Sequence, residues 1–407
     1  MDHIVVVGAS LAGLRACERL RTSGFAERVT LVGAEAHEPY DRPPLSKKLL
    51  AGDWEADRIR LRKPGELEEL HIETFLGARA VGLDPARQVL ALDGGGEVAY
   101  DGLIVATGAA PRHLPGQPRA TGVHVLRTLD DAMTLRAELV DGARVVVIGA
   151  GFIGLEVAAT ARGRGCTVTV LEGLPAPLVR ALGAEMGTAV AAVHERNGVE
   201  LRCGVQVAGI DVADGRVRAV ALADGSEVPA DVVVVGIGVS PQVDWLAGSG
   251  AELRDGVVCD QTLWTGVPNV YAAGDCVRWV NELYGEEMRV EHWTNAAEQG
   301  AAAAANLLAA AAGEGPAPYA PVPFFWSDQY DSRIQYLGRA AGVPDEEVVV
   351  VAGDLGGRFA ALYGHAGRFR AVLGVTMPRM VMPMRKLLTE RASWAEALSF
   401  AEQARPT

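Results

Sequence analysis

The chain has 407 residues, 49% of them apolar and 22% charged, with 48 glycines, five cysteines and a formal charge of −13. That length makes two or three domains, each able to bury its own core, and the composition excludes disorder as the main state. The acidic balance argues against chain-wide affinity for nucleic acid or anionic lipid and leaves room only for a local basic face.

Residues 4–7 are a short β-branched run, followed by a glycine-bearing turn, a helical pattern over 11–21 and a second strand over 29–32. This is the opening of a βαβ unit. A Pro- and Arg-rich segment spans 39–64, and mixed strands then lead to a strand over 103–106. The βαβ pattern recurs with a strand over 145–148, a Gly-rich turn, a helix through Arg162 and a strand over 168–171. A repeat about 140 residues apart is far too long for a solenoid and marks two duplicated nucleotide-binding domains. Residues 199–220 alternate as antiparallel strands do, and 232–235 form a buried run. Alternating prolines over 317–323 mark a linker. Beyond them, strand patterns, aromatics and a terminal amphipathic helix make a third domain.

The N-terminal residues enter a strand directly, without a basic segment or a cleavable apolar one, so a cytoplasmic location is expected. The Ala-rich stretch 296–312 is interrupted by Glu298, Gln299 and Asn306, and its alanines suit close helix packing better than a bilayer span. No membrane association is expected. Cys17, Cys166, Cys203, Cys259 and Cys276 are scattered, with no CxxC pair and no metal-ligand spacing, so no metal site is expected.

The second turn, Gly149-Ala150-Gly151-Phe152-Ile153-Gly154, is a full GxGxxG between strand and helix. The first glycine permits the tight turn, the second lets a pyrophosphate approach the backbone, and the third lets helix pack on strand; the helix N-terminus supplies free N–H groups. Glu172 ends the next strand 23 positions after Gly149, where a carboxylate accepts from both ribose hydroxyls. A carboxylate there repels a 2′-phosphate, and Gly173 to Ala176 contain no arginine to bind one, so NADH is preferred over NADPH. Arg180 is the nearest base. The first turn is Gly8-Ala9-Ser10-Leu11-Ala12-Gly13, with Ser10 in place of the middle glycine. Its Cβ crowds the phosphate approach, but its hydroxyl is able to donate to a phosphate oxygen. The preceding strand and Glu35 at the end of the next restore the dinucleotide reading.

Further strings stand in order along the chain: Tyr40-Asp41-Arg42-Pro43-Pro44-Leu45-Ser46-Lys47, Ala106-Thr107-Gly108, Gly236-Ile237-Gly238-Val239-Ser240-Pro241, Ala273-Gly274-Asp275, Glu291-His292-Trp293, and Phe324-Phe325-Trp326-Ser327-Asp328-Gln329-Tyr330. Together they resemble the FAD-dependent NADH:ferredoxin reductases of the putidaredoxin-reductase type, which serve bacterial haem-thiolate monooxygenases and ring dioxygenases. The resemblance covers almost the whole chain. It implies an α/β fold of two Rossmann-like dinucleotide-binding domains, glutathione-reductase-like, plus a C-terminal α+β domain. The FAD-binding domain is expected over 1–112 and 243–317, the NADH-binding domain over 113–242, and the C-terminal domain over 318–407.

On this resemblance FAD lies along Gly8, Ser10, Leu11, Ala12 and Gly13, with its ribose on Glu35, adenine near the Ala80 backbone, and Ala106, Thr107 and Gly108 at the neighbouring strand end. Arg42 and Arg127 neutralise phosphates. Asp275, read as standing at a helix start, accepts from a ribityl hydroxyl. Lys47 is placed near the isoalloxazine, where a cation stabilises the anionic reduced ring. NADH is held by Gly149, Gly151, Phe152, Ile153, Gly154 and Glu172, with Gly238 near the nicotinamide ribose. Glu156 matches a family carboxylate near the nicotinamide and pairs with Lys47; the alternative is a first-turn acid favoured by the helix dipole. Trp293 matches an aromatic beside the flavin; the alternative is a core indole. Ser10 departs from the pattern, as does Ala176, where relatives often carry arginine.

The implied chemistry is hydride transfer from NADH to FAD and release of single electrons to an iron–sulfur ferredoxin. Lys47, Glu156 and Trp293 are the residues assigned to the chemistry. Residues 38–64 contain no cysteine, so a disulfide relay beside the flavin is not expected, and the acceptor cluster belongs to a partner. Two basic runs are candidates to receive an acidic ferredoxin: Arg58, Arg60, Arg62 and Lys63, and Arg379, Arg385, Lys386 and Arg391. A rubredoxin reductase shares all these motifs, and an apoptosis-inducing-factor-like redox-sensing flavoprotein is the alternative from another class.

Overall fold

The computed structural model describes residues 1–340 and 346–404. The chain divides into two compact units, each assembled from three separated segments. The first comprises Met1–Asp41, Asp57–Ala110 and Ser240–Pro323; the second comprises Arg42–Ala56, Pro111–Val239 and Phe324–Thr407.

In the first unit a five-stranded parallel sheet runs in the order Val270–Ala272, Gly102–Val105, His3–Val7, Arg28–Gly33, Ile72–Leu76. The central strands are apolar and buried almost throughout, as a sheet covered on both faces requires. The helix Leu11–Thr22 springs from the turn after the first strand, and the 19-residue helix Trp293–Ala311 packs against it. That contact is close enough that a Cβ on Gly300 would lie 2.1 Å from the Ala12 carbonyl oxygen. The alanine-rich segment thus serves helix packing. Among the described residues no helix is long and apolar enough to cross a membrane.

Two expectations for this unit are corrected. No helix begins at Asp275: Gly274, at φ +84°, turns the chain from one strand into the next, Val277–Asn281. The β-branched and aromatic residues after Asp275 pair with Val257–Cys259 and Glu286–Arg289 instead of coiling. The proline-rich stretch before Phe324 is pinned to the unit: the indole N–H of buried Trp279 donates to the Tyr319 carbonyl at 3.1 Å, and the Asn281 amide donates to the Pro321 carbonyl at 2.9 Å.

The second unit holds a parallel sheet in the order Glu200–Cys203, Thr167–Glu172, Arg144–Ile148, Val232–Val235, Val123–His124. The segment expected to be wholly antiparallel therefore splits. Glu200–Cys203 follows the helix Ala184–Arg196, and a helical crossover returns the chain parallel to its neighbour. Only Val207–Ala213 and Arg216–Leu222 form the antiparallel hairpin. A second sheet, antiparallel, runs in the order Phe324–Gln329, Ser332–Gly338, Arg368–Val375, Phe359–His365, Glu347–Gly353. The helix Trp394–Gln403 follows, opened by a capping box between Ser393 and Glu396. One hydrophobic core joins the two sheets: Val147 and Leu155 share it with Tyr336, Phe359 and Tyr363, and the Phe152 and Phe325 rings meet edge to face at 4.7 Å.

Candidate active site

The two glycine turns are built alike. Gly8 and Gly149 adopt φ values of +126° and +106°, and a Cβ on either would fall 2.0 Å from the Ala106 oxygen or 2.4 Å from the Gly236 oxygen. Gly13 and Gly154 lie over the turns, where a Cβ would stand 1.9 Å from the Gly8 oxygen and 2.2 Å from the Gly149 oxygen. The middle position differs. A Cβ on Gly151 meets nothing within 4 Å, so this place faces open space and is not demanded by the protein's own packing. That explains Ser10, which occupies the corresponding N-cap position in extended backbone, as Gly151 does. Neither helix carries an acid in its first turn, so both N-termini keep their positive dipole ends for a pyrophosphate.

The two strand-end carboxylates are oriented. Glu172 accepts from the Ala150 N–H at 2.7 Å and the Leu174 N–H at 2.8 Å, which fixes it beside its turn while each oxygen keeps a second lone pair. Glu35 accepts from the Tyr40 hydroxyl. Both turns fit a dinucleotide: a glycine-built bend, a helix N-terminus with no acid in its first turn and a strand-end carboxylate held by a hydrogen bond.

Other expected residues are distributed over both units. In the first unit the Thr107 hydroxyl donates to the Gln242 carbonyl at 2.6 Å, and the Gln242 N–H donates to the Gly108 carbonyl at 2.9 Å, tying that strand end in place. Ala80 opens the strand Ala80–Asp84. The Asp275 carbonyl accepts from Arg289 at 3.1 Å. Trp293 is only half-buried, whereas Trp279 is the indole that fills the core. The Trp293 indole N–H donates to Asp41 Oδ1 at 2.7 Å. In the second unit Arg42 donates to the Arg127 carbonyl at 2.6 Å, which brings the two arginines together. The Gly238 carbonyl accepts from the Arg112 N–H at 2.9 Å, and Gly238, at φ +101°, faces open space.

The densest polar group in the second unit centres on Glu156. This residue lies beyond the first turn of the helix Phe152–Gly163 and is buried to 3% exposure, so it is no dipole-favoured surface acid. Its Oε2 pairs with Lys47 Nζ at 2.6 Å and accepts from the Ser46 hydroxyl at 2.5 Å; its Oε1 accepts from the Ser327 hydroxyl at 2.6 Å. Thr160 on the same helix donates to the Ser46 carbonyl at 2.7 Å and fastens the Lys47 segment. Three donors around one buried carboxylate make an oriented anion. Sequence reasoning did not single out Asp41, Ser46, Ser327, Gln329 or His194. All but His194 stood inside strings quoted for the resemblance; His194 carried no signal.

The five cysteines are free. Burial pushes the Cys276 thiol up to about 11 and Cys17 up to about 12, so neither is a thiolate at neutral pH. The basic runs differ in kind. Arg60 pairs with Asp57 at 2.9 Å and Glu38 at 3.6 Å, and Arg62 with Glu18 at 2.6 Å and Glu66 at 3.6 Å. In the C-terminal segment Arg379, Met382 and Lys386 are exposed, Met382 to 43%; Lys386 has Glu390 at 3.8 Å, and the Arg385 guanidinium lies over the Phe324 ring.

Residues 2–300 match the family model described as pyridine nucleotide-disulphide oxidoreductase, and residues 324–405 match that described as reductase C-terminal. The chain belongs to the pyridine nucleotide-disulphide oxidoreductase family. It is 38% identical to rhodocoxin reductase of Rhodococcus erythropolis over 95% of this chain and 89% of that protein. It is 35% identical to putidaredoxin reductase CamA of Pseudomonas putida, over 96% of this chain and 92% of that one. The covalent putidaredoxin reductase–putidaredoxin complex superposes with a TM-score of 0.91 at 33% identity, covering 99% of this chain and 98% of that one. Within the family the chain is therefore of the putidaredoxin-reductase type, an oxidoreductase whose cofactors are FAD and a nicotinamide nucleotide.

Proposed function

We propose that this protein takes hydride from NADH and passes electrons singly to an iron–sulfur ferredoxin that feeds a haem-thiolate monooxygenase or a ring dioxygenase. The observation that carries the reading is the pair of strand–turn–helix cradles, each with its strand-end carboxylate, in a chain similar end to end to ferredoxin reductases. FAD supplies the conversion, since it accepts a hydride and releases its two electrons one at a time.

The chain's own groups bind and orient. The first turn, Glu35, Arg42, Ala80, Thr107, Arg127 and Asp275 hold FAD; the second turn, Glu172 and Gly238 hold NADH. The Glu172 carboxylate disfavours a 2′-phosphate. Lys47 supplies a cation for the flavin ring, and Glu156 holds Lys47. Trp293, steadied by Asp41, covers the flavin. The FAD domain comprises 1–112 and 243–323, the NADH domain 113–242, and the C-terminal domain 324–407, the expected boundary at 317 giving way to one after Pro323 because Tyr319 and Pro321 are hydrogen-bonded into the first unit. The C-terminal basic face of Arg379, Arg385 and Lys386 receives the ferredoxin: Arg379 and Lys386 are exposed in the same short segment as an exposed methionine, Met382, whereas Arg60 and Arg62 are already matched by four acids. The function is exercised in the cytoplasm.

Cytochrome c reduction by NADH and the purified flavoprotein, with and without candidate ferredoxins, tests the reading. The expected result is a rate that rises in proportion to the cognate ferredoxin; a rate indifferent to every ferredoxin overturns it.

A further inference from the structure

Behind Glu156 the second unit holds a train of hydrogen bonds that runs one way. Ser327 donates to Glu156 at 2.6 Å, Gln329 Nε2 donates to Ser327 Oγ at 3.1 Å, Gln329 Oε1 meets His194 Nε2 at 2.8 Å, and the Tyr330 hydroxyl lies 3.5 Å from His194 Nδ1. The directions are forced. A carboxylate only accepts, so the single proton of Ser327 is spent on Glu156, and its oxygen must accept from the amide nitrogen of Gln329. The amide oxygen then faces His194, which must donate from Nε2 and keep Nδ1 bare for the tyrosine. Burial, the largest influence on His194, holds it below the usual imidazole range, in keeping with that neutral form. Ser327, Gln329 and His194 are all buried. A core that admits three polar side chains and satisfies them in sequence spends that order on one orientation.

We propose that Ser327, Gln329 and His194 are positioning residues that hold the Glu156 carboxylate, and through it Lys47, in the attitude the flavin requires, so that the segment after Pro323 takes part in hydride acceptance. The proposal rests on the reading that Lys47 and Glu156 serve the flavin. The train orients and does not conduct: Gln329 donates and accepts without a net proton passing through its amide, so no proton leaves by this route.

The test is anaerobic rapid mixing of the FAD-loaded full chain with NADH, following flavin bleaching. Ser327→Ala is expected to slow bleaching about tenfold, the value of one charge-assisted hydrogen bond, with the NADH concentration dependence unchanged. Ser327→Thr, which keeps the hydroxyl, is expected to recover most of the rate. In a Glu156→Gln background Ser327→Ala should add nothing, because its effect travels through that carboxylate. If Glu156→Gln slows bleaching and Ser327→Ala does not, or if the two effects add, the positioning proposal is overturned while the reading of Lys47 and Glu156 stands. If Glu156→Gln itself leaves bleaching unchanged, that reading fails and the proposal with it. Should Ser327→Ala fail to fold, Gln329→Met carries the same comparison.

Discussion

The indole N–H of Trp293 donates to Asp41 Oδ1 at 2.7 Å, joining residues 252 positions apart in sequence within the first unit. Trp293 is the first residue of a 19-residue helix, so its ring leaves a rigid element and is held at its far edge by a carboxylate. Asp41→Ala removes that hold and leaves the indole in place. The expected outcome is a broadened tryptophan emission and a shifted flavin absorption band with FAD still bound. Unchanged spectra would show that Trp293 does not depend on Asp41.

Glu172 is oriented by two backbone amides beside the second turn. Glu172→Ala removes the carboxylate proposed to accept from the NADH ribose and to repel a 2′-phosphate. Steady-state kinetics should show the KM for NADH rising about tenfold or more, the worth of a charged hydrogen bond, and the preference over NADPH shrinking. A preference for NADH that survives intact would remove Glu172 from the selection.

Arg379→Glu with Lys386→Glu is expected to raise the ferredoxin KM several-fold, more steeply at low salt, while ferricyanide reduction is unchanged. Arg60→Glu with Arg62→Glu is expected to do less to ferredoxin and more to thermal stability, because it strands Glu18, Glu38, Asp57 and Glu66. The reverse ranking would assign docking to the first basic run.

His194 titrates below its ordinary value because it is buried, with the Gln329 hydrogen bond opposing that shift. The unfolded chain binds a proton at this imidazole near pH 6.5, where the folded chain does not, so stability rises with pH through the window below about 6.5 and falls as acid is added. Thermal melts at pH 7.5 and 5.5 should show a smaller acid loss for His194→Gln than for the wild type. Equal losses would remove His194 from the acid response.

Gly300→Ala puts a methyl group 2.1 Å from the Ala12 carbonyl, so the two helices must separate. Overpacking of this kind costs about 1–3 kcal/mol. Ala12 belongs to the helix that begins at the first turn, so FAD retention through gel filtration should fall together with Tm. Full retention at wild-type Tm would mean that the helices part without cost.

The amino-acid sequence by itself determined the two dinucleotide turns and the α/β character, because their causes are local. A glycine at positive φ, a glycine under a helix and a carboxylate at the next strand end stand at fixed short spacings, and an apolar run long enough for one strand is read in place. It misread Asp275 as a helix start because a glycine turn into a strand and one into a helix share the same few residues. It could not tell a parallel edge strand at Glu200–Cys203 from an antiparallel one, since pairing partners lie elsewhere in the chain. Tertiary structure alone decided how Glu156 is held: Ser46 and Ser327 reach it from 110 and 171 positions away. It also decided that Arg60 and Arg62 are matched by acids while Arg379 and Lys386 are exposed. Charge and hydrogen bonding act over a few ångströms of space, and no spacing along the chain encodes which distant groups the fold will bring within that reach.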